Sequence, residues 1–227
     1  MDSVTQSFFK LFRNDVVPPQ ARPAQPPAAR IGRHSSGLKE FTRSIAGRED
    51  LCILDLGSTS ATNIALFTGQ GYKVCTEDVL QAAYEPSLVV KNEEGKSTVD
   101  VTRFLADNLA YRGRIFDAAL CWDVADYLPE PLVKPVVERI CAMMKPGGVL
   151  LAYFHTRDAG PDAPHYRYHI AGQDLLSLQP TATKNGSPRY RLQRVFNNRH
   201  IENLFKEFAS LKFFLARDNV REVLVVR

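Results

Sequence analysis

The feature that most constrains the fold is an alternation along the chain between short apolar runs and segments with helical spacing. The apolar runs read LCILDL, YKVCTED, FDAALCW and VLLAYFH, and helix-like segments such as ATNIALFTG separate them. Strands that are apolar on both faces are typical of a parallel sheet covered by helices on both sides. The alternation therefore predicts an α/β protein with a doubly wound, mostly parallel sheet.

The C-terminal part of the chain carries a different pattern. Two strand-like runs, LKFFLAR and REVLVVR, are joined by Asp218 and Asn219, which favour turns. Adjacent strands joined by a short turn form a hairpin. We therefore expect an antiparallel strand at one edge of the sheet.

The length of 227 residues, with 44% hydrophobic and 24% charged residues, suits one domain with a modest extension. Residues 17–30 are rich in proline and alanine, which favours an extended linker. We therefore expect an N-terminal extension over residues 1–33 and a folded domain over residues 34–227. Residues 157–196 interrupt the strand and helix rhythm, and we interpret them as a lid-like insertion.

Composition argues against several classes of protein. The four cysteines stand singly in apolar runs, without metal-ligand spacing, so we expect reduced thiols and no metal site. No apolar run approaches the roughly 18 residues that cross a bilayer. The net charge of +4 is spread along the chain. We expect a cytoplasmic protein without membrane or nucleic-acid partners.

The loop after the first apolar run has the residues of a ligand-binding turn. In a doubly wound sheet, ligands bind outside the carboxyl ends of the strands. Asp55 ends the run, Gly57 permits close approach of a ligand to the backbone, and Ser58 and Thr59 offer donors near a helix N-terminus. The alternative is that Gly57 only closes a strand-to-helix turn.

The second apolar run ends in two carboxylates, Glu77 and Asp78. A carboxylate about 20 residues after such a loop is placed to bind the two hydroxyls of a ribose. The alternative is that Asp78 caps the following helix.

From Leu51 to His155 the chain resembles the class I S-adenosylmethionine-dependent methyltransferases. The loop of this family contains three glycines. Gly57 matches the first of them, whereas Thr59 and Ala61 stand in place of the second and third. The matching positions are Asp55 and Gly57 in the first motif, Asp78 or Glu77 in the second, Phe116–Asp123 as the fourth strand, and Lys145–Gly148 before the fifth.

The resemblance implies a seven-stranded sheet with an antiparallel C-terminal strand and S-adenosyl-L-methionine as the cofactor. In this class the end of the fourth strand faces the methyl group that is transferred. The cofactor-binding residues implied in this way are Asp55, Gly57, Ser58, Thr59, Asp78 with Glu77 as its alternative, Cys121 and Trp122. Trp122 is equally compatible with a place in the core.

Two residues at strand ends are candidates for catalysis. Asp123 follows the fourth strand, and His155, at the end of the fifth, has the ordinary pKa range of a general base. Structural roles remain open for both, since Asp123 can cap a helix and single histidines are often structural.

The substrate is predicted to lie under the insertion. Aromatic rings and guanidinium groups together suit an anionic or aromatic small molecule, although the same residues also suit a solvated loop. The candidate substrate-binding residues are Tyr127, Tyr166, Tyr168, Arg191 and Arg194.

The sequence thus predicts a methyltransferase that acts on a small-molecule acceptor. A non-catalytic protein that binds S-adenosylmethionine or S-adenosylhomocysteine is the alternative. A nicotinamide-dependent oxidoreductase is disfavoured because GxGxxG is missing, and nucleic-acid modification because no dense basic patch is present. The oligomeric state is left open.

Overall fold

The computed structural model describes residues 30–158, 160, 163–182, 187, 189–215 and 218–227. Most of the predicted N-terminal extension, residues 1–29, therefore lies outside the described residues. Within the described part, no helix combines the length and apolarity needed to span a bilayer.

The described residues form seven α-helices, one short 3₁₀ helix at Pro86–Leu88, and eleven strands. The helices are α1 Ser36–Ile45, α2 Ala61–Thr68, α3 Val79–Ala83, α4 Val101–Asp107, α5 Val124–Tyr127, α6 Glu130–Met143 and α7 Asn198–Leu204. The strands are β1 Ile31–His34, β2 Cys52–Asp55, β3 Lys73–Thr76, β4 Val89–Lys91, β5 Ser97–Val99, β6 Phe116–Trp122, β7 Met144–His155, β8 His165–Ile170, β9 Leu175–Thr181, β10 Ser210–Leu215 and β11 Val220–Val226.

The central sheet has the strand order β10-β11-β7-β6-β2-β3. Strands β3, β2, β6 and β7 run parallel, and β11 pairs antiparallel with both β7 and β10. The predicted mostly parallel sheet and its C-terminal antiparallel strand are confirmed.

The predicted count of seven strands is wrong for the described residues, because the central sheet has six. The stretch after α3 forms a separate two-stranded hairpin, β4 with β5, instead of extending the β3 edge. Each of these strands has three residues, and they are mostly exposed. A strand of three residues buries little apolar surface, and Val89 and Val90 of β4 are exposed.

Helices cover both faces of the sheet because neighbouring strand residues point to opposite sides. On one face α1 buries Leu38, Phe41 and Ile45, and the Ser35 side chain caps its first turn by accepting from the Leu38 amide. On the other face α6 buries one side, including Val137 and Ile140. The doubly wound arrangement is therefore present.

The insertion contributes a second, smaller sheet. Strands β8 and β9 form a hairpin, and β1 pairs antiparallel with β9 from Ile31 opposite Leu178 to His34 opposite Leu175. The paired segment thus begins slightly before residue 34, where we expected the domain to start.

The buried side chain of Asn63, in α2, is one of the contacts that join this small sheet to the central one. Its amide nitrogen donates to the Tyr168 carbonyl at 3.0 Å and to Asp55 Oδ2 at 3.2 Å. Its amide oxygen accepts from the Ile170 amide at 2.8 Å. Asn63 therefore joins α2, β2 and β8.

Asn63→Ala is expected to lower the free energy of unfolding by about 2–3 kcal/mol, because it leaves buried backbone and carboxylate groups without partners. Urea unfolding followed by circular dichroism measures the change. The matched control is Asn203→Ala, at an exposed position in α7, which is expected to stay within about 0.5 kcal/mol of the wild type. Equal losses in the two variants would contradict the role of Asn63.

Candidate functional site

The loop after β2 is organised around the buried carboxylate of Asp55. Trp122 Nε1 donates to Oδ1 at 2.7 Å, Asn63 Nδ2 donates to Oδ2, and the Gly57 amide donates to Oδ1 at 3.4 Å. Burial raises the pKa of Asp55, and these three hydrogen bonds oppose the rise. The Asp55 carboxylate is therefore a structural anchor for the loop.

The two candidate acids at the end of β3 point in different directions. Asp78 Oδ2 accepts from the Ser58 hydroxyl at 2.9 Å, and Oδ1 accepts from the Gln81 amide as the cap of α3. Glu77 instead accepts from the Leu109 amide at 2.9 Å. Asp78 thus lies at the loop and also caps the helix, whereas Glu77 ties down a different segment.

Trp122, at the end of β6, lies directly over this loop. Its backbone adopts φ +46°, which is uncommon for a residue with a large side chain. A Cβ atom placed on Gly57 would lie 2.7 Å from Trp122 Cδ1, so only a glycine leaves room for the indole. Cys121 belongs to the core on the opposite face, where burial raises the pKa of its thiol to about 12.

The β8–β9 hairpin closes over the loop and the indole. The Tyr168 ring stacks on Trp122 at 5.0 Å between centroids and 2° between planes, and its hydroxyl donates to Asp123 Oδ2 at 2.9 Å. His169 Nδ1 lies 2.8 Å from Ser60 Oγ. One hairpin therefore binds Ser60 of the loop together with Trp122 and Asp123 at the end of β6.

S-adenosylmethionine does not fit beside the loop in this arrangement. The space bounded by Gly57, Ser58, Trp122 and the β8 side chains is about 10 Å³, at the lower limit for one water molecule. Ligand pockets usually measure about 300–1,000 Å³. Ser58 lines this space and donates to Asp78, and Thr59 is exposed, but the indole of Trp122 occupies the place beside Gly57.

A second group of candidate site residues, the pair His155 and Asp126, lies at the end of β7. His155 Nδ1 is 2.8 Å from Asp126 Oδ2, which also accepts from the His155 amide. The Asp126 side chain is fully buried, and the His155 side chain is 18% exposed. Asp126 fixes the orientation of the imidazole. The sequence analysis did not identify Asp126. The only feature of the sequence that points to it is that an acidic residue stands in the short stretch after the fourth strand.

The pKa values of this pair are both raised. Burial raises the pKa of Asp126 to about 6, although hydrogen bonds from His155 oppose the rise. Burial lowers the pKa of His155, but the hydrogen bond to Asp126 and the nearby carboxylates of Asp123, Asp126 and Asp218 outweigh it. The pair therefore retains a proton to a higher pH than isolated groups would.

His155 faces a cavity of about 360 Å³, which is large enough for a small molecule. The cavity lies between the end of β7, strands β1 and β8, and the residues at the start of β11, Asp218 to Val220. Tyr166 and Tyr168 line both this cavity and the small space beside Gly57. The cavity and the loop are thus separated by a wall of two tyrosines.

The other predicted site residues are divided between this region and another part of the surface. Tyr127 is buried, with its ring centroid 5.8 Å from that of the His155 ring, and Asp123 is buried beside Tyr168. Arg194 instead donates to backbone carbonyls at the end of α5, pairs with Glu130 and lines a groove beside α6. Arg191 is exposed and lines neither the cavity nor the loop. A role for these two arginines in substrate binding stays a prediction.

Residues 30–208 match the profile of a family described as a methyltransferase domain. No curated protein matches the chain. Similar solved structures include 1,6-didemethyltoxoflavin-N1-methyltransferase of Burkholderia thailandensis with bound 1,6-didemethyltoxoflavin and S-adenosylhomocysteine, at 14% identity, 84% coverage of this chain, 76% of that chain and TM-score 0.45. Another is an S-adenosylmethionine-dependent methyltransferase of Methanosarcina mazei, at 16% identity, with coverages of 79% and 93% and TM-score 0.45.

Asp126→Asn is expected to lower the pKa of His155 by about one unit or more, because the carboxylate is lost while the burial remains. Titration of the histidine ring protons by NMR measures the shift. The resonance is assigned by its loss in His155→Gln. An unchanged midpoint in Asp126→Asn would show that Asp126 does not hold the proton on His155.

Trp122 is the only tryptophan of the chain, so its fluorescence reports on the loop. If S-adenosylhomocysteine binds beside Gly57, the indole has to leave Tyr168, and we expect a saturable change in emission. The same titration of Asp78→Ala is expected to show affinity weaker by about 1.5–3 kcal/mol, the usual contribution of hydrogen bonds to a charged group. Glu77→Ala is the matched control. Loss of affinity in Glu77→Ala alone would reverse the assignment of the two acids.

Proposed function

Because the chain belongs to the methyltransferase domain family, we propose that it methylates a small-molecule acceptor bound in the cavity beside His155. S-adenosylmethionine is the methyl donor of this family. The observation that carries the proposal is a histidine, oriented by a fully buried aspartate, in the wall of a cavity at the carboxyl edge of a parallel sheet. Ligands of doubly wound sheets bind at this edge.

In this reaction the protein has two main tasks, which are to align the acceptor with the methyl group and to remove the acceptor's proton. A sulfonium carries an already activated methyl group, so no nucleophilic residue of the protein is required. His155 Nδ1 is engaged by Asp126, which leaves Nε2 to take the proton from an acceptor O–H or N–H. The Asp126 carboxylate then stabilises the imidazolium that forms.

The tyrosine wall connects this proposal with the closed loop. Tyr166 and Tyr168 separate the cavity from Gly57, and Tyr168 also holds Trp122 in place. A displacement of the β8–β9 hairpin would uncover the loop and join the two spaces. The cofactor loop is thus proposed to open by movement of the hairpin.

A second candidate function follows from the same closure. The tight packing of Trp122 against Gly57 and Tyr168 favours a protein that binds no cofactor in the loop, or binds one without turnover. The two candidates differ in whether labelled methyl groups reach an acceptor.

His155→Gln is expected to reduce methyl transfer by on the order of 100-fold or more, because the acceptor proton then has no base. Transfer from tritiated S-adenosylmethionine is measured over a panel of small phenols, amines and carboxylic acids. His200→Gln, at an exposed position, is the matched control and is expected to behave as the wild type.

Equal turnover by His155→Gln and the wild type would exclude His155 as the base. Saturable binding of S-adenosylhomocysteine, with no labelled product from any acceptor, would favour the non-catalytic candidate.

A further inference from the structure

The outer edge of β10, the last strand of the central sheet, has no neighbouring strand among the described residues. On its other side β10 pairs with β11 over all six of its residues, from Ser210 to Leu215. In an antiparallel sheet, the main-chain groups of alternate residues bond to opposite neighbours. Every second residue of β10 therefore directs its N–H and C=O groups away from the sheet.

The hydrogen bonds around β11 identify these outward-pointing residues. The main-chain groups of Asn219 and Arg227, which flank β11, both bond to the β7 segment. By alternation, odd-numbered residues of β11 bond to β7 and even-numbered residues bond to β10. Leu224 lies opposite Lys212, so the even-numbered residues of β10 in turn bond to β11. The residues whose main-chain groups point away from the sheet are Leu211, Phe213 and Leu215.

The side chains of this edge strand are mostly apolar. β10 reads SLKFFL, with Leu215 86% exposed and both Phe213 and Phe214 only half-buried. Helix α1 packs over β7 and β11 more than over β10. An exposed apolar edge strand of this kind is a template for pairing with another chain. The edge thus offers both main-chain hydrogen bonds and apolar surface to a partner.

The sequence of β10 is complementary to a second copy of itself. In a two-fold symmetric contact, the same strand of each copy meets the other in antiparallel orientation. If Phe213 lies opposite Phe213 of the second copy, Leu211 lies opposite Leu215 and Lys212 lies opposite Phe214. In this register all the outward main-chain groups find partners, and leucine faces leucine.

The charge of Lys212 selects this register over its neighbour. The next register that keeps the hydrogen bonds places Lys212 opposite Lys212 of the second copy, and like charges directly opposite each other are destabilising. In the register centred on Phe213, the ammonium group meets the Phe214 ring of the second copy. Lys212 Nζ already lies 4.9 Å from the centre of the Phe214 ring in its own chain, a cation–π contact.

We infer that two copies of this chain pair through the outer edges of β10, antiparallel and centred on Phe213. The product is a dimer with one continuous sheet, to which each copy contributes its six strands. Pairing removes the two open edges and covers the exposed Leu215. The inference concerns a surface away from the loop after β2 and does not depend on the proposed function.

Sedimentation velocity of the full chain without donor or acceptor, over a range of protein concentrations, tests the inference. We expect the wild type to be in equilibrium between monomer and dimer. Leu215→Lys is expected to raise the dimer dissociation constant by about tenfold or more, because it replaces an apolar cross-strand contact at two symmetric places. The melting temperature of the monomer should not change, since Leu215 is exposed. Val89→Lys, at a position in β4 that is 57% exposed, is the matched control and is expected to match the wild type.

The register is tested with two charged variants of the central residue. Phe213→Lys and Phe213→Glu are each expected to be monomeric alone and to form a mixed dimer when combined, because like charges opposite each other repel and unlike charges attract. Thermal unfolding of both variants is recorded, since Phe213 is half-buried. Leu215→Lys decides the question if they do not fold.

Three results would overturn the inference. The first is a wild-type chain that sediments as a monomer at every concentration. The second is a dissociation constant that Leu215→Lys and Val89→Lys leave equally unchanged. The third is the absence of a mixed dimer between folded Phe213→Lys and Phe213→Glu, which would exclude the contact centred on Phe213.

Discussion

The arrangement of the candidate site depends on the buried carboxylate of Asp55. Burying a charged group is costly unless hydrogen bonds satisfy it, and here the donors come from three elements. Trp122 brings the end of β6, Asn63 brings α2, and the Gly57 amide brings the loop itself. Because the other end of the Asn63 amide binds the Ile170 amide, the small sheet is tied to the same point. Loop, sheet and hairpin are therefore positioned together.

The small sheet also connects the two ends of the described chain. Arg33 of β1 pairs with Glu222 of β11, and Glu222 in turn accepts from the Gly37 amide at the start of α1. A Cβ atom on Gly37 would lie 2.9 Å from Glu222 Oε2, so the close approach requires glycine. This buried contact holds β1 close to β11, and residues of both strands line the cavity beside His155.

The packing of Tyr168 accounts for both the closed loop and the cavity beside His155. Tyr168 stacks on Trp122 and donates to Asp123, which removes the space beside Gly57. The same ring forms a wall of the cavity that His155 faces. Aromatic stacking contributes only about 0.5–1.5 kcal/mol beyond buried area. Buried hydrogen bonds of Tyr168 with Asp123 and of His169 with Ser60 add to it, so opening the loop requires these contacts to break together.

The sequence by itself determined the parallel sheet, the C-terminal antiparallel strand and the exit loop, because strand and helix periodicities and turn residues act over short distances. It also placed His155 at a strand end and Asp78 beside the loop, where strand register separates Asp78 from Glu77. Only the tertiary structure decided that β4 and β5 leave the sheet, that Trp122 fills the loop, and that Asp126 orients His155. Periodicity fixes which face a side chain occupies, but the partner opposite comes from a distant part of the chain and depends on packing.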